Sequence, residues 1–233
     1  MSDGFQNYQA LEPVRDASVD VRARFITRTY NHLFGAIVAF AGIEFLLFSS
    51  GLAYPIAKAM LSGSWLLVLG GFMLVSWLAT RAAHQSTSKA AQYAALGGYV
   101  VAQAIIFVPL LAIAEMTAPG AIPSAGLVTM LGFAGLTAVA FTTRKDFSFL
   151  GAMLRWAGIV ALVAIVAGVV FGFELGTWFS VAMVGLAGGA ILYDTSNVIH
   201  HFPEDRYVAA SLQLFASVAL MFWYVLRIFL SRR

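Results

Sequence analysis

Asp194 lies in the run GAILYDTSNVIHHF, residues 189–202, inside a stretch otherwise apolar enough to cross a bilayer. An ionisable side chain at that depth costs about 2.5–3.5 kcal/mol on insertion-based scales, and such groups face a protein interior and find partners there. Asn197 follows at i+3 and His201 at i+7, so all three share one face if the helix continues that far. Pro203 disfavours helix at Phe202, which puts His201 at the helix end or already in the turn. A carboxylate, an amide and an imidazole facing inward suit a proton- or cation-responsive gate. A buried aspartate paired with an arginine would instead lock a bundle.

The candidate partners are Arg81, at the end of the second apolar window, and Arg155, about two turns into the fifth. Arg81 also suits a membrane-surface anchor, whereas Arg155 is near the limit of what a snorkelling arginine reaches. Glu44, within AGIEFLLFSS, sits deep in the first window. It could extend a polar path toward the opposite side, or be protonated and simply hydrogen-bonded. The four histidines, His32, His84, His200 and His201, lack HExxH or comparable ligand spacing, which argues against a zinc site. There is no phosphate-binding loop, nucleophile elbow or nicotinamide fingerprint, and no cysteine for thiol chemistry or disulfides. These residues point to a non-enzymatic protein with no resident cofactor.

The elements that must position them follow from composition. The chain has 233 residues, 61% hydrophobic and 11% charged, with a mean hydropathy of +0.84. Soluble domains carry about 25% charged residues, so this chain belongs in a membrane. Its net charge of +3 is too sparse and scattered to track nucleic-acid phosphates. A span needs roughly 20 apolar residues, and seven windows qualify: 32–50, 63–80, 94–114, 122–141, 149–171, 177–199 and 208–230. The fold class is therefore an all-α integral membrane protein, a seven-transmembrane-helix bundle over residues 31–233. Residues 1–30 read as a polar cytoplasmic arm without the apolar core of a cleavable signal peptide.

With the N-terminus inside, cytoplasmic segments hold Arg15, Arg22, Arg24, Arg28, Arg81, Lys89, Arg144, Lys145 and Arg206, against Lys58, Arg227, Arg232 and Arg233 outside. That nine-to-four bias favours an N-terminus in and C-terminus out topology, while an even helix count would bring the final SRR cluster inside. Trp65, Trp156, Trp178 and Tyr207 fall near window ends, as an interfacial belt would place them. Gly168 with Gly172, and Gly185 with Gly189, are small pairs four apart that favour close helix packing.

The run at 189–202, together with AFTTRKDFSFLGAML at 140–154, resembles the Bax inhibitor-1 family, and within it the bacterial YccA-like branch. The likeness extends from about Ala23 onward. It implies a seven-helix membrane fold, a place in the bacterial inner membrane, and one of two activities. One is binding to and restraining the membrane protease FtsH. The other is a pH-sensitive leak with calcium as the permeant ion, gated by aspartates on the sixth and seventh helices with an arginine on the second taking part. Asp194 matches the sixth-helix aspartate and Arg81 is a plausible match for the arginine. The last window, AASLQLFASVALMFWYVLRIFL, contains no carboxylate, and Phe215 or Ser217 occupies the expected position of the second aspartate. Two close carboxylates share a proton, and a hard cation prefers several oxygen ligands. The missing aspartate therefore favours protease modulation over a calcium path.

Overall fold

A computed structural model describes residues 13–231 of the chain. It contains helices α1 (Val19–Ser49), α2 (Ala53–Ser62), α3 (Trp65–Gln85), α4 (Lys89–Thr117), α5 (Ala121–Thr143), α6 (Leu150–Phe171), α7 (Gly176–His200) and α8 (Tyr207–Ser231), with no named strand among the described residues. All but α2 are long and apolar enough to cross a membrane, so the seven windows correspond to α1, α3, α4, α5, α6, α7 and α8. The additional helix, α2, is too short to span. It lies against α4, where Ala53 and Ala57 pack on Val108 and Ala112.

The start of α1 differs from the hydropathy reading. Ser18 caps the helix, its hydroxyl accepting from the Val21 backbone N–H, and Asp20 sits in the first turn, where the helix dipole favours an anion. Helix therefore begins at Val19, within the stretch read as a polar arm. Hydropathy reports where a helix enters lipid, whereas a cap reports where it begins. At 1.5 Å per residue, 31 residues extend about 46 Å, more than the roughly 30 Å of hydrocarbon. Ahead of the cap, Val14 is fully buried and its N–H donates to the Phe202 carbonyl at 2.9 Å. Phe25 stacks on Phe202 with ring centroids 6.5 Å apart. Residues 13–18 are thus tied to the turn between α7 and α8, and residues 1–12 of the expected arm lie outside the described residues.

Helices α4 and α8 form the buried centre. Phe107 of α4 is fully buried between Phe40 of α1 and Phe222 and Trp223 of α8. Its centroid lies 4.9 Å from that of Trp223 in an edge-to-face arrangement, a preferred aromatic geometry. The other spans surround this pair, and α6 stands farthest out, packing chiefly on α7. Because the spans alternate direction, the α3–α4, α5–α6 and α7–α8 turns gather at the end where α1 begins. Among the described residues, that end carries all the cationic groups expected inside, with Lys58 and Arg227 toward the other.

The glycine pairs resolve unevenly. Gly189 does mark a close approach, since a Cβ there would lie 3.3 Å from Leu154 Cδ2 on α6. A Cβ at Gly185 would meet nothing within 4 Å, and Gly172 is the left-handed cap of α6, with φ +71°, and not a packing residue. The tightest approach is at Gly151, where a Cβ would lie 2.8 Å from the Tyr193 ring. Gly151→Ala should therefore lower bundle stability by about 1–3 kcal/mol, the usual cost of overpacking, while Gly185→Ala, inside a helix and facing open space, should not lower it. Thermal melting of the two variants in detergent checks this, and equal melting temperatures would contradict it.

Candidate functional site

Asp194 sits near the C-terminal end of α7 with 4% of its surface exposed. Small residues one and two turns earlier allow α7 to lie close to its neighbours. A Cβ at Gly188 would touch Leu136 of α5 at 3.4 Å and Met221 of α8 at 3.7 Å. In this setting the carboxylate meets two donors from α8. Gln213 Nε2 donates to Oδ1 at 2.6 Å, and the Ser217 hydroxyl donates to Oδ2. Gln213 and Ser217 are four apart and so share one face of α8. Both donors are neutral. They satisfy the carboxylate by hydrogen bonding and add no countercharge.

The arginine pair, one of the two alternatives the sequence leaves open, is absent from the described contacts of Asp194. Arg81 donates through Nε to Gln85 at 3.0 Å and lies 5.2 Å from the Trp77 ring centroid, while Arg155 Nε donates to the Gly151 carbonyl at 3.2 Å. Neither is paired with Asp194 among the described ion pairs. Asn197 is buried, and its backbone carbonyl accepts from the N–H groups of His201 and Phe202, closing the helix end. Glu44 is buried in α1 with neither carboxylate oxygen hydrogen-bonded to a described residue. It lines a cavity of about 200 Å³ with Phe48, Leu111 and Glu115, at the end of the bundle away from Asp194.

His201 has a different partner. Because α7 stops at His200, the His201 ring leaves the Asp194 face, and its Nε2 lies 3.0 Å from Asp146 Oδ2 in the α5–α6 turn. The same turn is held by Ser196 of α7, whose hydroxyl accepts the Phe147 N–H at 2.9 Å. Asp146 Oδ1 also accepts the Ser148 N–H at 2.9 Å. Partial desolvation pushes the Asp146 carboxyl up, but the Ser148 hydrogen bonds and His201 outweigh it and hold it below the ordinary carboxylate range.

The sequence reading missed Gln213 and Asp146 as site residues. Gln213 was signalled only by an amide within an otherwise apolar helix, and Asp146 only by its place in a conspicuous motif. Ser217, read as one of two residues at the expected position of a second aspartate, is the one that faces Asp194. Phe215 packs instead on Phe40 and Tyr99.

Two outcomes follow from this geometry. Ser217→Ala leaves one oxygen of a buried carboxylate without its donor and should destabilise the bundle by about 1–3 kcal/mol, read as a fall in melting temperature at constant detergent. An unchanged melting temperature would remove the joint from the stabilising set. Asp146 has a folded value below its unfolded one. Its contribution is therefore present above the ordinary carboxylate range and lost as pH falls through the folded value. A pH series of amide exchange over residues 144–149 should show protection at neutral pH that declines in acid, and Asp146→Asn should flatten that decline.

Comparison with known proteins places this geometry in a family. Residues 22–233 match the family model described as "Inhibitor of apoptosis-promoting Bax1". The "Modulator of FtsH protease YccA" of Escherichia coli (strain K12) is 38% identical over 101 residues, covering 43% of this chain and 46% of that protein. A "BI1-like protein" of Arabidopsis thaliana is 36% identical over 110 residues, covering 44% and 42%. The "Golgi anti-apoptotic protein" of vaccinia virus (strain Lister) is 24% identical over 226 residues, covering 92% and 88%. The matched stretch thus spans a little under half the length of the bacterial relative. With the family model covering nearly all of the described residues and seven apolar helices arranged as one bundle, the chain belongs to the Bax inhibitor-1 family of membrane proteins.

Proposed function

We propose that this chain is a non-enzymatic bacterial inner-membrane protein that binds the protease FtsH and restrains it. The observation that carries the reading is the satisfaction of Asp194 by Gln213 and Ser217. Two neutral donors from one neighbouring helix make the most prominent polar site of the bundle a joint between α7 and α8. A joint suits a protein that works by presenting a fixed shape to a partner. The partner class comes from the relative named as a modulator of FtsH protease, which shares 38% identity over 101 residues. The concentration of Arg and Lys at the end where α1 begins supports an orientation with that end in the cytoplasm, and the proposed topology has the C-terminus on the periplasmic side.

A second reading, a pH-sensitive cation leak with calcium as the permeant ion, draws on Glu44. That group is buried with both oxygens free of described hydrogen bonds, beside a cavity that Glu115 also lines. Glu44 and Asp194 are buried carboxylates at different depths, the minimum for a stepwise path.

The readings separate experimentally. Affinity-tagged chain at native expression level should retain FtsH in mild detergent and slow degradation of a membrane substrate by FtsH in proteoliposomes. Recovery of other membrane partners without FtsH would overturn the leading reading. Calcium flux through the same proteoliposomes should equal that of empty vesicles. Flux above that level, abolished by Asp194→Asn and Glu44→Gln, would establish the second reading instead.

A further inference from the structure

A groove of about 470 Å³ runs between α1 and α4 on an exposed side of the bundle. Its walls are apolar and small, with Gly35, Ala39 and Ile43 on α1 facing Gly97 and Val100 on α4. A Cβ added at Gly35 or Gly97 would meet no other atom within 4 Å, so the absence of side chains there opens space and does not serve tight helix packing. On α1 the lining extends from Asn31 to Ile43, about 18 Å at 1.5 Å per residue. That is close to the thickness of one leaflet, half of roughly 30 Å of hydrocarbon.

One end of the groove is polar and cationic. His32 and Tyr93 line it, with His32 Nε2 3.0 Å from the Tyr93 hydroxyl. The other ring nitrogen, Nδ1, donates to the Arg28 carbonyl at 2.6 Å, so in the neutral ring Nε2 accepts from Tyr93. Tyr93 Oη in turn lies 3.2 Å from Tyr207 Oη. Two cations converge on that second ring, with the Arg28 guanidinium carbon 5.5 Å and Lys89 Nζ 4.6 Å from the Tyr207 centroid. Each stands one helical turn outward of a groove residue, Arg28 before His32 and Lys89 before Tyr93. Lys89 bonds to Gln92 Oε1 at 3.3 Å and to the backbone carbonyl of Asp205, whose carboxylate is paired with Arg206. No described carboxylate forms an ion pair with Arg28 or Lys89.

We propose that this groove is a binding site for one anionic phospholipid, its acyl chain lying between α1 and α4 and its phosphate held by Arg28 and Lys89. An apolar channel of leaflet depth fits an acyl chain. The two cations at the channel's headgroup end have no described carboxylate partner, so their charge is complementary to an anionic headgroup. Aromatic and imidazole groups at the junction match the boundary where ester and phosphate oxygens meet hydrocarbon. The site has no part in the Asp194 joint, so the proposal stands apart from protease binding.

The test uses the purified full chain in mild detergent. Palmitoyl-oleoyl phosphatidylglycerol, or phosphatidylcholine with the same acyl chains, is added and bound lipid is counted by native mass spectrometry. Each cation near an anionic headgroup is worth about 1 kcal/mol, so the phosphatidylglycerol preference should be on the order of thirtyfold. The double variant Arg28→Gln with Lys89→Gln should lose that preference while keeping the helical signal of the parent and its retention of phosphatidylcholine. Gly97→Leu, which fills the channel, should lose retention of both lipids. Equal retention of the two lipids by the parent would overturn the proposal, as would an undiminished preference in the double variant. A parent that is dimeric, and becomes monomeric in Gly97→Leu with lipid retention unchanged, would assign the groove to a second copy and overturn it also. Should Gly97→Leu fail to fold, the double variant alone decides.

Discussion

A carboxylate withdrawn from water inside a membrane bundle must be met by hydrogen-bond donors, and the rest of this structure depends on how Asp194 is met. In lipid an unsatisfied polar group costs several kcal/mol, and hydrogen bonds to charged groups are worth about 1.5–3 kcal/mol each. Both donors come from α8, one turn apart, and each takes a different oxygen. Sliding α7 against α8 by one helical turn, or rotating either helix by one residue, would take at least one donor from the carboxylate. The joint therefore fixes the register of α7 against the helix that also contacts α1, α3, α4 and α5. The hydrophobic effect alone supplies no such constraint in a bilayer, because lipid tails are as apolar as leucine.

Two segments that stand apart in the sequence are one structure in the fold. The α5–α6 turn, TTRKDFSFLG, and the end of α7, YDTSNVIHHF, meet at three points. Tyr193 lies over Gly151, Ser196 accepts from the Phe147 backbone, and His201 reaches Asp146. Glycine at 151 is explained by the ring that lies where a side chain would be. Serine at 196 is explained by an N–H in a turn that would otherwise go unpaired at the end of α7. The motif near Asp194 is thus divided in its duties, with one residue directed to α8 and three directed to the α5–α6 turn and the start of α6.

Much of the fold was legible in the sequence because a bilayer imposes length and hydropathy on every span. Asp194 was legible for the same reason, as a charge where lipid tolerates few. Its partners were not. The rule that buried charge seeks opposite charge points to Arg81 and Arg155, but neutral amide and hydroxyl donors satisfy a carboxylate equally well once the helix register is known, and register is a tertiary fact. His201 shows the complementary limit. Helical periodicity puts it on the Asp194 face, but the helix ends one residue too soon, and its ring turns to Asp146. Helix α2 escaped hydropathy for want of length, and the first turns of α1 escaped it because they lie outside the apolar slab.

The contacts between turns are concentrated at one end of the bundle. At the end where α1 begins, Val14 bonds to Phe202, Arg206 donates to the Ser86 carbonyl at 2.5 Å, Lys89 reaches the Asp205 carbonyl, and His201 reaches Asp146. The described contacts tie the segment just ahead of α1 and the three connecting turns into one polar surface. At the opposite end the described side-chain hydrogen bond between elements is Tyr54 to Glu115, at 3.0 Å. Helix α8 carries this asymmetry inward. Its first residue, Tyr207, receives the two cations at the groove, and ten residues later, about 15 Å along the axis, Ser217 holds Asp194. One rigid helix thus connects the cation cluster, the turn surface and the buried joint. A surface tied in this way has a defined shape at the membrane boundary, which is what recognition by another membrane protein demands.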